Sequence, residues 1–163
     1  MKVDSALQKA IDSLQIRDVY LRSVFAELAD GFEPKYDPDV QALPVQLKHI
    51  VTRTAVLELE GDERQQLFRV YIELGARWLE SLPAGDGDGA EPDVKARVEA
   101  LMVAEYLMRE HPGDDALRAF AMRNASYHVW PYWREFLASQ CVRMNLPKYT
   151  LPAVQLALNC GDE

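Results

Sequence analysis

Apolar residues recur along the chain with two different periods. Over residues 3–14 they follow helical spacing, which predicts a short amphipathic helix. Over residues 15–28 the pattern alternates, and both alternating sets contain apolar residues. This pattern predicts a strand that is covered in part on both faces.

Three further segments have the pattern of strands, over residues 47–60, 67–78 and 94–109. A short turn at 61–63 joins the first two, which predicts a hairpin of antiparallel neighbours. The third segment also contains good helix formers and could be a helix on propensity alone. We interpret it as a strand because the other three need a partner to complete a sheet.

The pattern after residue 113 is helical. Asp114 or Asp115 can cap a first helix, and Pro131, which has no amide hydrogen, is expected in the first turn of a second. A polar loop at 83–92 precedes the last strand, and the segment 153–159 could add one or two helical turns. The expected fold class is α+β: a four-stranded antiparallel sheet packed against helices that lie within about 115–146, in a single domain over 1–163.

Composition supports a water-soluble domain. Of the 163 residues, 48% are hydrophobic and 27% are charged, and no apolar run approaches the length of a membrane helix. The polar start lacks the apolar core of a signal peptide, so we expect a cytoplasmic protein with no membrane association.

The formal net charge of −8 is spread along the whole chain. No segment carries the basic stripe that phosphate neutralisation requires, which argues against nucleic acid as a partner. Cationic polypeptides are the more natural partner, because long-range attraction favours their encounter with an acidic protein.

Residues for catalysis or metal binding are few. His49, His111 and His128 are the available proton carriers, and Ser126 lies two residues from His128 without a glycine elbow. The two cysteines, Cys141 and Cys160, have no partners at zinc-ligand spacing. The DGDG segment at 86–89 lacks the remaining ligands of a calcium loop. We therefore expect no enzyme activity, no metal and no cofactor.

Aromatic residues are dense around Pro131. They can anchor a helix on its sheet, line a groove, or form a subunit interface. Helices can cover only one face of the predicted sheet, so the remaining apolar area predicts an oligomer or a binding surface. The residues expected to contact a client polypeptide or another subunit are Trp78, Tyr127, Trp130, Tyr132, Trp133 and Phe136.

Four segments follow one another along the chain: LQIRDVY at 14–20, YDPDV at 36–40, VWPYWRE at 129–135 and LPKYTLPAV at 146–154. Taken in order, they resemble the SecB family of protein-export chaperones, from about residue 14 to residue 157. The most distinctive segment is VWPYWRE, because the family has a hydrophobic-Pro-Tyr stretch followed by Arg-Glu at this point.

The resemblance implies an ATP-independent chaperone without a catalytic site, assembled as a homotetramer. Such proteins bind unfolded polypeptides on apolar surface and hold them for export through the translocase. Burial of a client's apolar side chains opposes aggregation without ATP.

Family members dock the translocase motor through acidic and apolar positions, which Glu27 and Glu99 match here. Ser23 stands where the family has an acid, and Arg97 where it has a leucine. Some SecB-like proteins carry an extension comparable to the predicted helix at 3–14 and serve as dedicated chaperones of an antitoxin. That role is the alternative function; a small-ligand carrier or enzyme is an alternative of another class, and would need a closed pocket with convergent polar groups.

Overall fold

The computed structural model describes residues 4–61, 64–83, 89 and 91–154. The chain begins with helix α1 (Ser5–Ser13) and strand β1 (Leu14–Leu28). A long connection with one 3-10 turn (Val40–Ala42) leads to β2 (Val45–Leu59), followed by β3 (Gln65–Leu79) and β4 (Val94–Met108). Helices α2 (Asp114–Arg123) and α3 (Ala125–Arg143) complete the order.

The four strands form one antiparallel sheet in the order β1-β4-β3-β2. This confirms the α+β class, the β2–β3 hairpin and the strand at 94–109. The central strands are β3 and β4, while β1 and β2 are the two edges. Both edges therefore carry backbone groups that pair with none of the strands in the described residues.

The helices cover one face of the sheet, called here the inner face; the opposite face is called the outer face. The inner core fills the space between β3, β4 and the helices, and it includes Phe32 from the β1–β2 connection. Its largest fully buried side chains include Trp78, Trp133, Tyr106 and Phe68. Side-chain burial of this extent is the main stabilising contribution to the fold.

Helix α1 is held at its start by one aspartate. The Asp4 carboxylate accepts a hydrogen bond from the Ala6 amide (3.1 Å) and pairs with Arg123 at the end of α2 (3.0 Å). Ala10 is fully buried, and α1 packs mainly against α2. A short helix is marginal on its own, so these contacts explain why it forms here.

Two details of the helical region differ from the sequence predictions. Asp114 and Asp115 lie inside the first turn of α2, where their charge favours the positive helix end, and Gly113 occupies the capping position with φ of 103°. Pro131 lies within α3, which already begins at Ala125. Because Pro131 has no amide hydrogen, the backbone carbonyl of Tyr127 lacks its helical hydrogen bond. The Tyr127 side chain is exposed, so water can donate a hydrogen bond to this carbonyl instead.

β1 is covered in part on both faces, as expected: Val19 is buried on the inner face and Tyr20 is half-buried on the outer face, while most of the strand is exposed. Bulges at residues 17 and 22 shift the alternation, so apolar residues of both parities face inward. Ile16, Leu21 and Val24 pair with Tyr106, Met102 and Ala100, which are inner-face positions of β4. The predicted loop at 83–92 and the tail after 154 lie largely outside the described residues.

Candidate polypeptide-binding surfaces

A strip of exposed apolar side chains lies along the inner face of β1. Ile16, Leu21 and Val24 are 44%, 43% and 49% exposed, and Ile11 of α1 continues the strip. The side chains face inward, yet β1 is the edge strand and the helices cover them only in part. We call these four residues the β1 strip. An exposed apolar row beside unpaired backbone is the arrangement that binds an extended polypeptide or a second subunit.

A cavity of about 400 Å³ opens between α1, the start of β1 and the α2–α3 junction, at one end of the β1 strip. Its aromatic wall is built from Tyr106, Phe120 and His128. The rings of Tyr106 and Phe120 meet edge to face at 4.9 Å, and the Tyr106 hydroxyl is 2.8 Å from Nδ1 of His128. Burial lowers the pKa of His128 and raises that of Tyr106, so both groups are neutral at pH 7. The wall is suited to apolar and aromatic side chains.

A second groove, of about 390 Å³, lies between α2 and the other edge strand, β2. Val56, Phe68 and Leu117 contribute apolar surface, and Val56 is 43% exposed. Arg118 and Asp114 line the same groove, so it is more polar than the β1 strip. Each edge of the sheet therefore presents partly exposed apolar side chains at the margin of the helical layer.

The six aromatic residues named in the sequence analysis divide into three groups. Trp78 and Trp133 are each 1% exposed and belong to the chain's own core. Trp130 and Phe136 are half-buried, and the Trp130 indole donates a hydrogen bond to the Pro152 carbonyl (3.2 Å). Tyr127 and Tyr132 are each 52% exposed on α3. Of these six, the two tyrosines are the most open to a partner.

Ser126 hydrogen-bonds a histidine, though not the one near it in sequence. Its Oγ is 2.7 Å from Nε2 of His49 on β2, while His128 binds Tyr106 instead. Burial lowers the pKa of His49. Because Ser126 is 1% exposed, a substrate cannot reach its hydroxyl, and the pair fastens α3 to the sheet. Burial also raises the pKa of the Cys141 thiol, which disfavours the reactive thiolate.

On the outer face of the sheet, charged side chains cover the central strands, whereas Phe25 and Ile50 on the edge strands are 45% and 48% exposed. Leu67, Tyr71, Leu79 and Val103 point outward from the central strands, yet they are 0–4% exposed. Arg53 stacks on Tyr71, with 3.5 Å between the guanidinium carbon and the ring centroid. The apolar side chains on this face of the central strands are therefore buried within the chain, and the apolar area that stays exposed lies at the edge strands.

Ion pairs of one buried carboxylate reinforce that outer face. The Glu105 carboxylate accepts a hydrogen bond from Nε of Arg69 at 2.6 Å and lies 3.6 Å from Arg17. Its side chain is 10% exposed. Glu27 and Glu99 lie on the same face, on β1 and β4. In contrast to Glu105, neither has an ion pair with another described residue.

Within the described ranges, no cluster of three metal-ligating side chains occurs. Among the helices that the structure describes, none is long and apolar enough to cross a bilayer.

The β1 strip is not recognisable from the sequence alone. Its signal was present in the apolar residues of 16–28, but two bulges divide them between both alternating sets. The strip becomes visible only with the pairing register and with the position of β1 at an edge.

No protein-family model matches this sequence, and no curated protein is significantly similar to it. Among solved structures, the chain is similar to the SecB-like chaperone Rv1957 of Mycobacterium tuberculosis, determined in complex with a ChAD peptide from the Rv1956 HigA1 antitoxin. The TM-score is 0.64 at 18% sequence identity, and the match covers 93% of this chain and 98% of that one. Nearly the whole chain therefore has the fold of a SecB-like chaperone.

Proposed function

We propose that this protein is a SecB-like chaperone that binds non-native polypeptide segments without ATP. The observation that carries the proposal is the β1 strip on a SecB-like fold. A client that adds a strand to the open edge of β1 would place alternate side chains against Ile16, Leu21 and Val24. Main-chain pairing supplies affinity without sequence preference, and the apolar contacts select for segments that are unfolded.

The acidic character of the chain fits this role. Its net charge of −8 favours encounter with basic clients, and repulsion between separate acidic complexes keeps them soluble. Holding a client needs no nucleotide site, because binding of the unfolded state alone shifts the client's folding equilibrium.

Of the two client classes, we favour a dedicated client such as an antitoxin segment. The structural neighbour was determined with an antitoxin peptide, and this chain has the N-terminal helix α1 that the sequence analysis linked to that role. On the outer face, Ser23 and Arg97 replace the acid and the leucine expected at a translocase-docking surface. Export is the second candidate, supported by the match of Glu27 and Glu99 to that surface.

The basic function is tested by complex formation. A reduced, unfolded model polypeptide is mixed with the protein in the absence of nucleotide, and the mixture is separated by size exclusion with mass detection. The proposal expects a stable complex with the unfolded client and none with the same client in its native, oxidised form. Absence of a complex with the unfolded client at micromolar concentration would overturn it.

The client class is tested by quantitative co-purification from the native host. One dominant small partner supports the dedicated role, whereas a broad set of secretory precursors supports export. Native mass of the purified protein tests the accompanying proposal of a homotetramer.

A further inference from the structure

A recess of about 360 Å³ opens on the outer face, on the side of the sheet opposite the β1 strip. Three neighbouring strands line the recess, and each contributes a pair of residues that lie beside those of the next strand in the register. These pairs are Gln46 and Lys48 on β2, Gly75 and Arg77 on β3, and Arg97 and Glu99 on β4.

Gly75 lines the floor of the recess, and its missing side chain lets the side chains of its two strand partners lie close over β3. It lies in the middle of β3, paired with Lys48 on one side and Glu99 on the other, and the register there is continuous without a bulge. A Cβ atom at this position would lie 3.3 Å from Cγ of Glu99 and 3.4 Å from Cβ of Lys48. A glycine inside a strand weakens the strand, and it commonly marks a place where a ligand approaches the backbone.

Two arginines stand side by side at one end of this recess. Arg77 and Arg97 are direct cross-strand partners, an arrangement in which like charges oppose sheet pairing. Arg77 donates a hydrogen bond from Nε to Gln46 (2.7 Å), and Lys48 pairs with Glu73 (2.6 Å). Nε of Arg97 is buried and has no hydrogen-bond partner among the described residues. A buried, unsatisfied donor on a cation is costly unless an acceptor reaches it.

We propose that this recess binds the carboxylate of an acidic side chain on a partner polypeptide. A guanidinium presents parallel donors that match the two oxygens of a carboxylate, and two adjacent guanidiniums can share one such group. The bound carboxylate would pair with the guanidinium groups that line the recess and offset the repulsion between Arg77 and Arg97. A volume of 360 Å³ accommodates one side chain with its neighbouring backbone.

Two carboxylates of this chain lie near the arginines and compete with the ligand. Glu27 is the β1 partner of Arg97, and Glu99 lines the recess two residues along β4. Neither forms an ion pair with Arg97 in the described part of the chain, although each is close enough in register to repel an incoming anion. Removal of the Glu99 charge should therefore strengthen binding.

The inference rests on the proposed function only in taking a polypeptide as the ligand. Its site lies on the outer face, so it can fail or succeed independently of client binding at the β1 strip. The acidic side chain of the partner polypeptide would be recognised here by charge, whereas the β1 strip recognises apolar segments.

The test measures binding of a fluorescent, N-acetylated and C-amidated peptide with two central glutamates between serines and glycines. Its counterpart with two glutamines is the control ligand. The intact protein should bind the glutamate peptide at least tenfold more tightly. Arg97→Ala and Gly75→Ala should each weaken that binding about tenfold, and Glu99→Gln should strengthen it several-fold. Arg134→Ala, at an exposed position on α3, is the matched control and should change nothing.

Equal affinity for the glutamate and glutamine peptides would overturn the proposal. So would inorganic phosphate that displaces the peptide at concentrations where acetate does not, because the site would then select phosphate. If Arg97→Ala fails to fold, Gly75→Ala and Arg97→Lys, which removes the fork but keeps the charge, decide the result. The Arg97→Ala variant should bind an unfolded apolar client as tightly as the intact protein does, and this result separates the proposal from the chaperone function.

Discussion

Replacing three side chains of the β1 strip by serine should remove most client affinity. Complete burial of one aliphatic side chain contributes about 1.5–3 kcal/mol. Ile16, Leu21 and Val24 are 44%, 43% and 49% exposed, so a client can bury nearly half of each side chain. That gives roughly 0.7–1.3 kcal/mol per residue and about 2–4 kcal/mol for the three together. At about 1.4 kcal/mol per factor of ten, the triple variant should bind roughly 30-fold to several hundredfold more weakly.

The assay is fluorescence anisotropy with a labelled, unfolded client segment, at fixed salt. The matched control carries serine at three exposed apolar positions outside the strip, Tyr36, Leu82 and Val142, which are 76%, 66% and 79% exposed. Circular dichroism verifies that both variants fold. Unchanged affinity in the Ile16, Leu21 and Val24 variant refutes the assignment of client binding to this surface. A reduced native mass with unchanged affinity assigns the strip to subunit pairing instead.

Three further predictions concern the groups that hold the helices and the outer face. Tyr106→Phe keeps the ring packing but removes the hydrogen bond to His128. The free energy of unfolding should therefore fall by about 1–2 kcal/mol and Tm by roughly 3–6 °C. An unchanged Tm in calorimetry would show that the hydrogen bond contributes nothing. Burial lowers the pKa of His49 and His128 below 6.5, so on acidification the unfolded chain binds protons before the folded chain does. The free energy of unfolding should therefore have its full value above about pH 6.5 and fall as the pH drops toward the folded pKa values. Urea unfolding at pH 7.5 and 5.5 measures this slope, which should flatten when both histidines are replaced by glutamine. Glu105→Gln leaves Arg69 without its carboxylate and should lower the free energy of unfolding in urea by about 1–3 kcal/mol. Glu110→Gln, at an exposed position, is the control and should lower it by almost nothing. Equal losses of stability in the two variants would contradict the importance of the Glu105–Arg69 pair.

The sheet was predictable because its strands carry their own signal. The segment 94–109 has helix-forming residues, yet the structure makes it a central strand whose alternate positions, such as Val98 and Met102, lie in the core. Tertiary pairing with β1 and β3 outweighs the intrinsic preference, since a central strand gains hydrogen bonds and packing on both sides.

The helix boundaries and the binding surface needed the structure. Pro131 reads as a helix start, but the aromatic and aliphatic contacts of Val129, Trp133 and Leu137 hold α3 together across the missing hydrogen bond. The β1 strip was hidden because each bulge changes the parity of the alternation, and bulges leave no mark in a sequence pattern. Likewise, Ser126 and His49 are 77 residues apart, so nothing local indicates their hydrogen bond.

The central claim is that this chain holds unfolded polypeptides on its exposed apolar surface without an energy source. Light scattering of a chemically unfolded client, diluted into nucleotide-free buffer with increasing amounts of the protein, tests it most directly. We predict that scattering falls in proportion to the added protein and disappears near stoichiometric amounts, and that the serine variant of the β1 strip leaves it high. Aggregation that proceeds at the same rate with and without the intact protein would contradict the claim.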